Sequence, residues 1–444
     1  MSPHRPLVPF LAAAALLGGA VPAQADPPWS EPVTVPGLEQ AGGLVVSPSG
    51  RSLLTSLGPG SYGRRRPGTS AAPLDASGAV GPARVLARNF DAGGYDGIAL
   101  DARGGVSAIA EEGTRSGSRL VARMGSYGGA LSRRRVLAFG EPVAGFAVAS
   151  NTRGDQAVLF QVSGSSRSVR RRAIYLSVRR AGGAFRRAVR IARGPDTASL
   201  EVAMNDGRQV VASWARNRRV AARRYSASGR LARAQTVGRT ALSTTISAAV
   251  APGGRTLVAW AAELGTGPGD PPRGFDDGPY AIRAALASPG AGFGPAQELE
   301  VSDSGSLAAR PLGTDRILLA YGGEDGDRRV VRTVEGGPAG IGPAQTVSSP
   351  DDSSGLADLA SGPSGEAVVS WYVEDPDPNR YSSELAAAVL PPGATSFSAP
   401  EPVVRTPDLG LTELAIHPAS GRVLAAFDSL SGPVRLVTRP PIAP

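Results

Sequence analysis

The chain has 444 residues with 47 basic side chains, all of them arginine, against 38 acidic ones, and it contains no cysteine. Disulfides, thiol catalysis and thiolate metal sites are thereby excluded, so stability has to come from burial and backbone hydrogen bonding. His4 and His417 are the only histidines, which rules out a multi-histidine metal centre.

The N-terminal segment reads as an export signal. His4 and Arg5 form a short basic region, Leu7 to Val21 is an apolar run, and Ala23 and Ala25 hold the small-residue positions before a cleavage point after Ala25. About fifteen apolar residues fall short of a bilayer span, and no later segment is apolar enough to insert. Residues 1–25 are read as the signal and 26–444 as one mature domain, secreted or periplasmic.

The mature chain opens on "WSEPVTV", a turn aromatic followed by a short strand. From there it repeats itself. "SPSGRSLLTS" (47–56) returns as "APGGRTLVAW" (251–260) and "GPSGEAVVSW" (362–371), a Gly-rich turn leading into a buried apolar strand. Aligned on Gly50, Gly105, Gly154, Gly207, Gly254, Asp315, Gly365 and Gly421, the copies are spaced by 55, 49, 53, 47, 61, 50 and 56 residues, with Gly207 one residue out of register. Before each turn stands a strand of small residues such as "ISAAVAP" or "FAVASN", suited to a crowded axis. After each decapeptide comes a variable loop and a third strand, such as "RAIYLSVRR" or "YAIRAALAS".

A second marker, a glycine turn with one bulky residue before a fourth strand, recurs at Trp29, Val80, Leu131, Phe185, Leu231, Phe293, Ile341 and Phe397. Its spacings of 51, 51, 54, 46, 62, 48 and 56 expand and contract with the first series, so the repeat is real. Four strands per unit of this length, repeated radially, predict an all-β fold: a single β-propeller of four-stranded blades. Both markers count eight blades; seven remain if the first or second unit is not a full blade. The chain ends on a third strand, "PVRLVT", so the N-terminal strand is expected to complete the last blade. Phe160, Trp214, Trp260, Tyr321, Trp371 and Phe427 recur at one position of their units and are read as wedges between blades.

The "SPSG", "APGG" and "GPSG" turns resemble the repeats of TolB-type bacterial propellers, and the "G-x-F-G-P-A" turns resemble those of sialidase-like propellers. The resemblance implies the fold. A sialidase would bring an arginine triad, a Tyr/Glu nucleophilic pair and an Asp acid, but no "S-x-D-x-G-x-x-W" box and no "F/Y-R-I-P" segment is present to carry them.

Binding residues are expected on the variable loops of one face. The fourth-to-first connections supply Asp91, Tyr95 and Asp96 in "RNFDAGGYDG" and Asp352 in "SPDDSSG". The second-to-third connections supply Arg170 and Arg171 in "GSSRSVRRR", Asp270, Arg273, Asp276 and Asp277 in "GTGPGDPPRGFDDGPY", and Glu374, Asp375 and Asp377 in "VEDPDPNRYSS". Asp375, Asp377 and Asn379 match the opening of an EF-hand loop, but Arg380 stands where that loop needs glycine and Ala386 where it needs glutamate. No metal or cofactor is expected. The "RRR" clusters at 64–66, 133–135 and 170–172 suit phosphate, sulfate or carboxylate polymers, or are solvated surface. The "RGD" at 153–155 falls on a repeat turn and is read as coincidence.

Charge is unevenly spread. Residues 1–240 carry 34 Arg and 14 Asp or Glu, a balance of +20, whereas residues 241–444 carry 13 and 24, a balance of −11. An exported chain with so acidic a second half argues against nucleic acid as partner. The function expected is a non-catalytic, monomeric binding module for a cell-envelope glycan or another exported protein. A glycoside hydrolase or lyase using Asp276, Asp277 and Glu374 is the alternative, and a scaffold without a small ligand is a further one.

Overall fold

The structure, a computed structural model, describes residues 29–442 except 40, 48, 58–68, 88–96, 115–116, 132, 139–142, 163–171, 195–198, 241–243, 265–278, 350, 352, 374–383, 407–408 and 430–431. Its strands form eight antiparallel sheets, each with four strand positions consecutive in the chain, save that the sixth fills its outer position with two short strands, Gly340–Ile341 and Gln345–Thr346, and the last takes one strand from the N-terminus. The chain is an eight-bladed β-propeller. Blades one to seven span 41–87, 98–136, 143–193, 199–239, 244–302, 307–346 and 354–405; blade eight is 409–439 with Val33–Thr34 as its fourth strand. The first and second units, the two that left a seven-bladed count open, are complete blades.

The sequence pattern explains the layering. The second strand of each blade packs on both faces and therefore reads as a continuous apolar run; Thr256–Glu263 is buried at every position. Outermost strands have one solvated face, as in Val189–Arg193. The core is eight apolar layers, each shared by two neighbouring blades. Phe160, Trp214, Trp260, Tyr321, Trp371 and Phe427 each sit in one of these layers, as wedges. Blades one and two carry Ser56 and Ala110 at the corresponding position.

Six residues before every wedge except Tyr321 lies the turn used for the sequence alignment, and the structure corrects its register at two blades. The left-handed turn residue is Gly104 rather than Gly105 (φ 84°), Arg208 where Gly207 already stood one residue out (φ 60°), and Gly313 rather than Asp315 (φ 62°), eight residues before its wedge. At the first two, the amide of the turn residue donates to the carbonyl of Asp101 or Asn205 three residues earlier, each at 2.9 Å. Asp and Asn favour this position because their side chains cap the turn amides; the Asp101 carboxylate accepts from Arg103 and Gly105 N–H at 2.9 and 2.7 Å.

The ring closes between blades seven, eight and one. Val33 and Thr34 pair with Leu436 and Arg435, and the contact continues through Ser30 N–H to the Thr438 carbonyl (2.8 Å) and Val35 N–H to the Val434 carbonyl (2.8 Å). Val35 and Leu38 are buried between blades eight and one, and Trp29 between seven and eight. His417 clasps the same seam. Its Nε2 lies 2.8 Å from the Gly50 carbonyl, which only accepts, so Nε2 donates; Nδ1 accepts from the Ser420 amide at 3.1 Å.

Asp428 crosses the seam too, its carboxylate oxygens accepting from Ala41 and Leu411 N–H at 2.8 Å each. Burial raises its pKa above the usual carboxylate value, against the opposing pull of those amides. A raised folded-state pKa gives stability that is complete below the unfolded value near 3.8 and is lost as pH rises through the folded one. The stability of the natural protein relative to Asp428→Asn is therefore expected to grow as pH falls through that window. Denaturant titrations of both proteins over a pH series check this; a difference that shrinks towards low pH contradicts it.

Between blades seven and eight, fully buried Arg439 grips Glu401 through two 3.2 Å hydrogen bonds from Nε and Nη2. Removing one partner of such a pair strands the other charge. Glu401→Ala is expected to cost on the order of 3 kcal/mol. Arg439→Met is expected to cost less, because it removes the buried charge itself and leaves the Glu401 side chain, 24% exposed, to water. Urea midpoints of the two variants decide it, and a larger loss in Arg439→Met overturns the reading.

Candidate functional site

Antiparallel order places the second-to-third and fourth-to-first connections on one face of the ring and the turns on the other. Asp91, Tyr95, Asp96, Arg170, Arg171, Asp270, Arg273, Asp276, Asp277, Asp352, Glu374, Asp375 and Asp377 all lie outside the described residues, so the face expected to bind is not seen at these positions. What is seen is its foundation. The long insertion of blade five leaves the ring where Leu264 N–H donates to the Pro279 carbonyl at 2.7 Å. The "EDGD" segment forms a tight hairpin joining Arg316–Asp325 to Arg328–Gly337, with Gly326 left-handed at φ 62°. Among the described residues no group of three or more His, Asp or Glu is placed to hold a metal ion.

The polar groups nearest the axis are spent on joining blades. Asp358, on the innermost strand of blade seven, accepts from Leu414 N–H of blade eight at 2.8 Å and lies 3.6 Å from Arg310 of blade six. Ser247 of blade five accepts from Ala309 N–H of blade six at 2.9 Å. Tyr372 donates to the Gly410 carbonyl at 2.7 Å, and burial, the largest influence on it, pushes its phenol up to about 12. Tyr321, Glu300 and Arg332 bring together the residue types of a sialidase site, with Arg332 3.2 Å from Glu300. Tyr321 is fully buried in the layer between blades five and six, and burial drives its phenol well above the ordinary range. This is a blade contact with no access for substrate. The "RGD" carboxylate is likewise occupied: Asp155 accepts from Ala181 N–H at 2.8 Å and from Asn151 at 3.0 Å.

The turn face carries a site that loop reasoning missed. An open cleft of about 810 Å³ runs between blades two and three, lined by Arg133, Arg134, Arg135 and Arg179 together with Asp101 and Met124. Strand register sorts the "RRR" run. Arg134 pairs with Arg123, and both reach Glu112 on the face turned to blade one, at 2.9 Å from Arg123 and with Arg134 forked onto the carboxylate. Burial pushes Glu112 up, but the two guanidiniums outweigh it and hold the carboxyl below its usual range. Arg133 and Arg135 pair with Met124 and Ala122, whose face turns to blade three. Neither has an ion-pair partner among the described residues.

Arg179 enters the same cleft from blade three at 3% exposure. Its Nε donates to Gln156 Oε1 at 2.9 Å and its Nη2 to Ser107 Oγ at 2.5 Å, while its plane lies 5.8 Å from the Phe185 ring. Burial lowers its pKa, partly offset by the fields of Asp101 and Asp155.

The charge split of the sequence becomes a spatial one. In blades five to eight, arginines 255, 283, 310, 316, 332, 405 and 439 are held by Asp315, Glu298, Asp358, Glu335, Glu300, Glu384 and Glu401. In blades three and four, exposed Arg187, Arg190, Arg219, Arg233 and Arg239 have no such partner among the described residues.

No protein-family model matches the chain, and no curated protein sequence does. Among solved structures, Chaetomium thermophilum Sqt1 bound to the N-terminus of ribosomal protein L10 is similar at TM-score 0.50 and 12% identity, over 91% of this chain and 98% of that one. An ulvan lyase, described as a new polysaccharide lyase family, is similar at TM-score 0.48 and 10% identity, over 91% and 95%. The β-propeller domain of the trilobed protease from Pyrococcus furiosus is similar at TM-score 0.42 and 9% identity, over 77% and 93%. At these identities the likeness is one of fold.

Proposed function

We propose that the mature chain is an exported, non-catalytic propeller that binds an anionic glycan of the cell envelope. The observation that carries this reading is the unbalanced arginine wall of blades two to four, in contrast to blades five to eight, where seven arginines are held by carboxylates. Exposed ion pairs contribute little and exclude little; a broad unpaired set of guanidiniums instead raises the local concentration of polyanions. Arginine also forks onto carboxylate and sulfate groups in a way that lysine does not. A ring closed by its own N-terminal segment gives such a wall a rigid backing. Export rests on the segment 1–25 and its cleavage after Ala25.

Binding of purified residues 26–444 to isolated envelope polysaccharide and to an array of glycans, repeated as salt is raised, tests the proposal. Saturable binding to acidic glycans that weakens steeply with ionic strength supports it. Equal binding to neutral glycans, or none to any glycan, overturns it and leaves an exported protein as the partner to seek.

A further inference from the structure

The arginine wall needs no defined site to attract a polymer; the cleft between blades two and three has the features of one. We infer that this cleft binds a single oxyanion group, the carboxylate of a uronic acid or the sulfate ester of a sulfated sugar, with Arg179 as its buried anchor. Three observations converge. Arg179 is nearly inaccessible yet lines an open cleft, its Nε and one terminal nitrogen are fixed by Gln156 and Ser107, and its other terminal nitrogen has no partner among the described residues. A guanidinium locked by its neighbours loses little entropy on binding, which is what distinguishes a site from a charged surface.

The opposite wall supplies the second element. Arg133 and Arg135 stand two positions apart on the outer strand Arg133–Val136, so both project to the same side, about 7 Å apart. The volume, about 810 Å³, lies in the range that admits a ligand larger than one ion.

Charge counting fixes the class. Facing Arg133, Arg135 and Arg179 are Asp101 in the cleft and Asp155 behind Arg179, and each of these carboxylates already accepts backbone amides. Arg134 also lines the cleft, but it shares Glu112 with Arg123 on the other face. The guanidiniums outnumber the carboxylates, so the cleft carries an excess of positive charge that suits the carboxylate or sulfate ester of a sugar. This places the ligand on the turn face, across the ring from the loops that sequence reasoning chose.

Calorimetric titration of residues 26–444 with sodium glucuronate and with sodium methyl sulfate, at one ionic strength set by sodium chloride, tests the inference. The expected result is one-to-one binding of glucuronate or methyl sulfate, and the tighter of the two identifies the sugar class. The double substitution Arg133→Gln with Arg135→Gln, on exposed side chains that the fold does not need, is expected to weaken that binding about tenfold. Arg328→Gln, exposed in blade six and away from the cleft, is expected to leave it unchanged. Arg179→Gln, provided its melting curve stays cooperative, is expected to abolish binding. No saturable binding by glucuronate or methyl sulfate, or binding indifferent to the double substitution, overturns the inference. Polymer binding without small-anion binding sinks the cleft and leaves the proposed function standing; the reverse sinks the function and leaves the cleft.

Discussion

Deleting residues 26–39 is expected to lower the stability of the whole ring by on the order of 5 kcal/mol, more than any single exposed substitution. The segment buries Val35 and Leu38 completely and Trp29 nearly so. Two aliphatic side chains of this kind contribute about 1.5–3 kcal/mol each, before the aromatic and the backbone bonds to Val434 and Thr438 are counted. Deletion also bares the edge of Arg435–Arg439, whose unpaired amides and carbonyls invite pairing with another chain. Chain 40–444 should therefore melt lower than 26–444 and aggregate in a concentration-dependent way. Val33→Thr is the control, because Val33 is 53% exposed and its loss should stay within about 0.5 kcal/mol. Equal melting of the two chains means that the N-terminal strand does not hold the ring shut.

The second large effect belongs to the wedge between blades four and five. Trp260 is fully buried, its indole N–H donates to the Arg239 carbonyl at 3.0 Å, and its ring leans on Gly238 so closely that a Cβ there would stand 2.1 Å from Cζ2. Trp260→Ala is expected to cost about 3–5 kcal/mol through the cavity it leaves. Gly238→Ala is expected to cost about 1–3 kcal/mol through the opposite fault, overpacking against the same ring. The two are coupled: Trp260→Leu should make room for the new methyl, so Gly238→Ala should cost less in that background by about 1 kcal/mol or more. Denaturant midpoints of the four proteins form the cycle. Strict additivity would show that Gly238 is small for some other reason.

Trp260 also shows why the fold was legible. A wedge must recur once per blade at a fixed distance from a turn, and burial on both faces forces the strand that carries it to be apolar throughout. Those constraints leave a periodic trace strong enough to count blades, even where blades one and two replace the aromatic by Ser56 and Ala110. The turn register was less legible. "DARGG" offers two adjacent glycines and only the backbone dihedral selects Gly104, while Arg208 takes a left-handed conformation that its side chain does not announce. The cleft was hidden for a different reason. "RRR" at 133–135 reads as one cluster, but strand alternation sends Arg134 to Glu112 on one side and its neighbours to the other. Their partner Arg179 comes from the next blade and stands in the sequence as an ordinary strand end. Sites assembled across blade boundaries from alternate residues leave no local motif.

If the unpaired arginines of blades two to four recognise a polyanion, removing them has to change how binding responds to salt. Binding to polygalacturonate would be measured over a salt series for the natural protein, for a variant with Arg187, Arg190, Arg219 and Arg239 changed to Gln, and for a control with Arg328→Gln in blade six. The fourfold variant is expected to bind more weakly and with a shallower salt dependence, and the control to be indistinguishable from the natural protein. Identical salt curves for all three proteins would contradict it.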